Sequence, residues 1–278
     1  MTSRPQVDQA WAAQVAEFCA EAYAEYAAAD PATLGQVDHV FAADYALDCA
    51  AVTHALGAGP NDVRTWIKRA AFVLGEVFRL GGTTPAFPAT IVDEDGPRSF
   101  APPGARDASL TNSRRGLLAM QVALIAGDHH LVERIAATVG DPPNATYIGP
   151  DSEVCTPEEQ GLAYALKAYL LGRQAVAFFY TAGLTAAPPT VRQQALAIEA
   201  LMGHEAGAFL AALDGLLSAH AATAGNPLNA REPRCLINLP ALALAVLAIQ
   251  SGVIDPDQVP TDDPYLPRTL LLPPSTGH

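Results

Sequence analysis

Aromatic residues make up only 7% of this 278-residue chain, and its 16 basic residues face 29 acidic ones. Few aromatics beside abundant Ala and Leu exclude a strand-rich fold. Ala and Leu favour helix, whereas β-branched and aromatic residues favour strands. The shortage of Lys and Arg leaves a formal net charge of −13. That charge excludes nucleic acid and anionic membranes as partners, because both take basic side chains to neutralise phosphate. It would attract a basic partner instead.

Cysteine is also scarce. Cys19, Cys49, Cys155 and Cys235 are scattered, with no C-x-x-C and no Cys/His pair at zinc spacing. They read as buried free thiols of a reducing compartment. The start, Met1 to Pro5, lacks the apolar core of a signal peptide. The most apolar run, Leu236 to Ile249, is too short to cross a bilayer. These absences predict a soluble, cytoplasmic protein.

What is present is helix. Residues 6–29 carry a stripe of Trp11, Val15, Phe18, Ala22 and Tyr26. A second helix from about Leu34 carries Val37, Phe41, Tyr45, Cys49, Val52 and Leu56. A third opens at Pro60-Asn61-Asp62 and buries Val63, Trp66/Ile67, Ala70, Leu74 and Val77/Phe78. Residues 81–107 then break the pattern with Pro and Gly, and Thr90-Ile91-Val92 is their one strand-like run. Beyond them, helices are predicted near 111–126, 128–139, 157–171, 173–182, 189–202, 204–223 and 233–251. Thr156-Pro157-Glu158-Glu159 is a strong start signal. Gly127, Gly172, Gly203 and Gly252 follow apolar helix ends, where glycine supplies the left-handed cap. Their spacing is too irregular for a solenoid.

The expected fold is therefore all-α: an irregular array of helical hairpins, about ten helices, packed into one globule with long Pro/Gly-rich loops. An N-terminal three-helix unit (1–80), a linker packed on the body (81–107) and a hairpin array with an extended tail (108–278) together form one compact domain. Tyr265, Leu266, Leu270 and Leu271 of the Pro-rich tail are placed to dock on the body.

Catalytic signatures are missing. His204-Glu205 lacks the second His of H-E-x-x-H, and neither G-x-S-x-G nor a phosphate-binding loop occurs. His129 and His130 point about 100° apart on a helix and cannot share a metal. Asp44 and Asp48, one turn apart, form either a carboxylate pair for a metal or for acid/base work, or an exposed acidic face. Cys155 precedes a helix N-terminus, where the dipole would lower a thiol pKa. His54 and His220 read as packed or exposed without a role. No cofactor or metal is expected.

The polar stretch from Arg106 to Glu159 stands apart. Arg106, Asp107, Ser109, Asn112, Ser113, Arg114 and Arg115 lead into one helix; Tyr147, Asp151, Ser152 and Glu153 precede the next. Asp107 or Ser109 is a candidate N-cap, and Asp151 and Glu153 are candidate partners for the arginines. This constellation either fixes two loops onto the bundle or lines a recognition surface.

Here the chain resembles the immunity protein 49 family. The resemblance rests on Arg106-Asp107-x-Ser109-Leu110-x-Asn112-Ser113-Arg114-Arg115 and on Tyr147-Ile148-Gly149-Pro150-Asp151-Ser152-Glu153. Ala163 to Ala168, Phe209 to Leu213 and Pro260-Thr261-Asp262-x-x-Tyr265-Leu266-Pro267 add to it. It implies an all-α, cytoplasmic, non-catalytic protein that binds and neutralises a cognate toxin, a basic one given the acidic chain. An alternative is a helical small-molecule enzyme or binding protein of a biosynthetic pathway. Arg106, Arg114 or Arg115 would hold an anionic group there, and Asp107, Asp151 or Glu153 would serve as acid or base. A third reading is a scaffold that dimerises through apolar faces. No motif specifies the toxin or the oligomeric state.

Overall fold

A computed structural model describes residues 7–81, 90–93, 96–99, 109–139, 155–260 and 263–271. Ten α-helices occur among them: α1 (Gln9–Ala28), α2 (Gln36–Ala55), α3 (Pro60–Gly81), α4 (Ser113–Ala126), α5 (His129–Thr138), α6 (Pro157–Leu170), α7 (Gln174–Ala182), α8 (Pro189–Gly203), α9 (Ala206–Ala224) and α10 (Leu239–Gln250). The protein is an all-α array of helical hairpins. The helix expected over 233–251 is divided: a 3-10 turn at Pro233–Leu236 precedes α10. Asn238 makes the break by capping α10, its Oδ1 accepting from the Ala241 N–H at 3.1 Å. The strand-like run becomes β1 (Thr90–Asp93), paired antiparallel with β2 (Gly96–Ser99) in the register Thr90–Ser99. The rest of the expected 81–107 linker, apart from Gly81, lies outside the described residues.

One core runs through the molecule, from Tyr23 on α1 to Leu271 in the tail. Helix α2 packs between α1 and α3, and α3 leans on α4 and α5. Helix α4 is the hub, touching α3, α5, α6 and α10. Small side chains make the close approaches: a Cβ on Gly75 would sit 2.7 Å from Leu131 Cδ1, and one on Gly116 would sit 2.7 Å from Val139 Cγ2. One polar pair bridges α4 and α8 inside the core, where Gln121 Nε2 donates to Gln194 Oε1 at 2.8 Å.

The faces that α1 and α2 bury agree with the expected stripes only in part: Tyr26 on α1 and Cys49 and Val52 on α2 are buried as expected, but other members of the stripes are not. Helix α1 buries Ala12, Cys19, Tyr23 and Tyr26, while Phe18 is 61% exposed. Helix α2 buries Ala42, Ala43, Ala46, Ala50 and Ala51 and leaves Val37 and Phe41 half exposed. Alanine permits close backbone approach on both of its sides, so the small residues mark the buried face. Phe18 and Tyr45 pack edge-to-face at 5.8 Å between ring centroids, away from the core. The stripe of α3 agrees with expectation, with Val63, Ile67, Ala70, Leu74, Val77 and Phe78 all buried. Arg69 of α3 lies 4.6 Å above the Trp66 ring and 5.2 Å from that of Tyr23, tying α3 to α1.

The tail docks as expected, with Tyr265, Leu266, Leu270 and Leu271 buried. Two histidines assist. His54 Nε2 donates to the Pro264 carbonyl at 3.0 Å. His220 Nε2 donates to the Cys235 carbonyl at 3.0 Å, its ring against Tyr265. Burial lowers the His220 pKa.

Gly127, Gly172 and Gly252 take the left-handed conformation, but Gly203 does not; His204, with φ 53°, occupies that position after α8. A side chain there strains against the carbonyl, by about 1–2 kcal/mol. His204→Gly is therefore expected to raise stability by about 0.5–1 kcal/mol, allowing for the freer unfolded chain. Urea unfolding would check this.

Helix α9 is long and apolar enough, by length and composition, to cross a membrane, a property expected of no segment. Its large side chains Phe209, Leu213, Leu216 and Leu217 pack inward, and its outer face carries Asp214 and small residues.

Candidate functional site

The described part of the polar stretch forms a compact network where the N-termini of α4 and α6 meet. Three consecutive good cap formers, Thr111, Asn112 and Ser113, precede or begin α4, and Asn112 is the one that caps it. Its Oδ1 accepts from the Arg115 N–H at 2.9 Å, and its Nδ2 donates to the Ser109 carbonyl at 2.6 Å. Ser109 is therefore not the cap but the anchor of the preceding turn, and Ser113 is the first helical residue. Arg115 folds back, its Nη1 donating to the Leu110 carbonyl at 2.7 Å.

Arg114 reaches across to α6. Its Nε lies 2.8 and 2.9 Å from the two carboxylate oxygens of Glu159. Glu159 also closes the capping box of α6: its Oε2 accepts from the Thr156 N–H at 2.9 Å, and its own N–H donates to Thr156 Oγ1 at 3.2 Å. One carboxylate thus starts α6 and ties it to α4. Arg106, Asp107, Tyr147, Asp151, Ser152 and Glu153 lie outside the described residues. The expected ion pairs with Asp151 and Glu153 therefore lie there too. Arg114 is 48% exposed, so its pair with Glu159 adds little stability, at most about 1 kcal/mol.

Cys155 is buried directly beneath this junction. Burial raises its thiol pKa, outweighing the lowering by the backbone N–H groups of Arg114 and Ser113. That is opposite to the expected lowering and unlike an activated nucleophile. Cys19 and Cys49 are also buried, Cys49 Sγ on α2 donating to the Ala16 carbonyl of α1 at 3.6 Å, whereas Cys235 is partly exposed.

The Asp44–Asp48 pair is not a bare acidic face. Arg234, from the 3-10 turn before α10, pairs with Asp44 through Nη2 and places Nε 3.4 Å from Asp48. Burial pushes the Asp48 carboxyl up to about 6 against the opposing pull of Arg234, with Glu232 and Asp44 pushing the same way. A carboxyl raised in the folded state binds its proton there first. Its stabilising contribution is therefore full below the unfolded value of about 4 and is lost as pH rises through 6. The stability of wild type relative to that of Asp48→Asn should rise as pH falls from 7.5 to 4.5. About 1–2 kcal/mol is expected, after discounting for a side chain that stays 24% exposed. Urea titrations at the two pH values measure it. Among the described residues no three His, Cys, Asp or Glu side chains gather as a metal would require.

Two grooves lie elsewhere. One, of about 950 Å³, runs between α7, α8 and α9. The second, of about 800 Å³, lies between α6 and α7. Neither is lined by Ser109, Asn112, Ser113, Arg114 or Arg115.

Sequence comparison joins these features to a family. The profile of immunity protein 49 matches residues 30–270, from just past α1 to the buried end of the tail. The chain belongs to the immunity protein 49 family. No curated protein and no solved structure matches it. In this immunity protein 49 chain the match spans α2 to α10, so the α4–α6 junction and both grooves fall within it.

Glu159 and the grooves were missed from sequence. Glu159 was read only as an acid in a helix start; its partner lies 45 residues away. The exposed phenylalanines of α7 looked like ordinary apolar helix.

Proposed function

We propose that this protein is a non-catalytic immunity protein that binds a cognate toxin in the cytoplasm and neutralises it. The family match over residues 30–270 carries the reading. The net charge of −13 supports a basic toxin surface, since complementary charge speeds encounter and favours the right partner. The polar junction of α4 and α6 then serves to hold two hairpins in register, because its arginines are engaged with Glu159 and Leu110. Small-molecule chemistry would need a concavity bordered by those side chains; among the described residues, the two grooves are bordered by others.

Co-expression tests the proposal. Cells expressing the toxin encoded beside this gene should survive when the protein is present, and the two purified proteins should co-elute. Continued killing without co-elution would reject it.

A further inference from the structure

We propose that the grooves on either side of α7 form the docking site for a basic amphipathic helix of the toxin. This rests on the immunity reading and assigns it a surface. Helix α7 is built inside out. Only Ala177 and Thr181 are buried along it, whereas Val176, Phe178 and Phe179 are 45%, 60% and 74% exposed. Leu196 of α8 extends the same surface at 42% exposed. Burying a phenylalanine is among the larger apolar gains open to a chain, so leaving two adjacent rings in water points to a partner that covers them.

The shape suits a helix. The first groove holds Phe178, Leu196, Met202, Ala208 and Ala211 between α7, α8 and α9; the second holds Tyr164, Phe179 and Leu184 between α6 and α7. Ala175 and Phe178 line both, so Phe178 is the ridge between two adjoining hollows. Helical walls offer no row of free N–H and C=O groups for an added strand. A helix satisfies its own backbone and presents apolar anchors at i, i+3 or i+4, and i+7.

Charge selects the helix. The ionisable acids and bases among the lining residues are Glu199 and Glu205, both carboxylates, and Tyr164 and Tyr180; no Lys, Arg or His lines either hollow. A partner with Lys or Arg flanking its apolar stripe would meet both acids, and a neutral or acidic stripe would leave them desolvated and unpaired. The exposed Phe18, packed on Tyr45 of α2, marks the competing surface, but Phe18 lies before the residues that define the family.

Calorimetric titration of the full-length protein with the toxin domain encoded beside its gene is the test. Phe178→Asp and Phe179→Asp should each weaken binding by about 30-fold or more, as expected for central aromatic anchors. Glu199→Lys and Glu205→Lys should each weaken it by about 10-fold and reduce its salt dependence. Phe41→Asp, on the competing surface, should leave it unchanged. All five positions are solvent-accessible, and thermal melts confirm folding; should a Phe variant fail to fold, the Glu variants carry the test. Full-strength binding by the Phe178, Phe179 and Glu variants would overturn this docking site while leaving the immunity function intact. Loss of binding in Phe41→Asp alone would move the site to α1 and α2 and also overturn it. A wild-type protein that sediments as a dimer, with Phe178→Asp monomeric, would show that a second copy fills the grooves. No wild-type binding would reject the immunity reading itself.

Discussion

Replacing Glu76 with Ala is expected to lower the free energy of unfolding by about 3–5 kcal/mol. Glu76 and Arg79 sit one turn apart on α3, with Arg79 Nε 2.6 Å from Glu76 Oε2. Both are deep in the protein, at 0% and 6% exposed. Their mutual attraction helps to offset the cost of taking two charges out of water, and removing one partner gives up that offset. The asymmetry makes the cause testable. Glu76→Gln keeps an oxygen for the guanidinium and should lose less than Glu76→Ala. The double variant Glu76→Leu/Arg79→Met removes both charges and should also lose less than the single one. Urea unfolding at constant m-value measures all three. A double variant as damaged as Glu76→Ala would assign the loss to packing rather than to the broken ion pair. Domains are stable by only about 5–15 kcal/mol, so the single variant should also show reduced yield.

That pair was not singled out in the sequence, although the helix bearing it was plain. Periodicity and caps gave all ten helices, because Pro60, Thr156-Pro157 and the glycines after α4, α6 and α10 act over a few residues. Facing was harder. In α1 and α2 the large residues gave the apparent stripe, yet Val37, Phe41 and Phe18 turned outward and alanines turned in. An alanine carries almost no signal of side, and the choice is made by how near the neighbouring helix can come. The site was legible in the same uneven way. Its location at the head of α4 was clear, but Ser109, Thr111, Asn112 and Ser113 compete as caps on nearly equal terms. Only the fold of the preceding turn onto Asn112 decides among them. Glu159 gave a local signal for its capping role and none for its pairing with Arg114, which is a tertiary contact.

Phe78→Ala is expected to cost about 3–5 kcal/mol, the range for removing a buried aromatic ring. Phe78 is fully buried on α3, and its ring lies where α3 meets α4 and the end of α5: a Cβ on Gly116 would sit 3.4 Å from Phe78 Cζ and 2.7 Å from Val139 Cγ2. The cavity would therefore open on the seam between the N-terminal helices and the hairpin array. Its effect reports whether the two parts unfold together. Both tryptophans, Trp11 and Trp66, belong to α1 and α3. Tryptophan fluorescence thus follows the N-terminal helices alone, while far-UV circular dichroism follows every helix. A core continuous from Tyr23 to Leu271 leads to coincident transitions, both moved to lower urea. A fluorescence transition that moves alone would show α1 to α3 unfolding as a unit. The seam would then be an interface between two bodies, and the grooves of α6 to α9 would survive loss of the N-terminal helices. Coincidence instead makes the stability of the groove surface depend on a ring of α3.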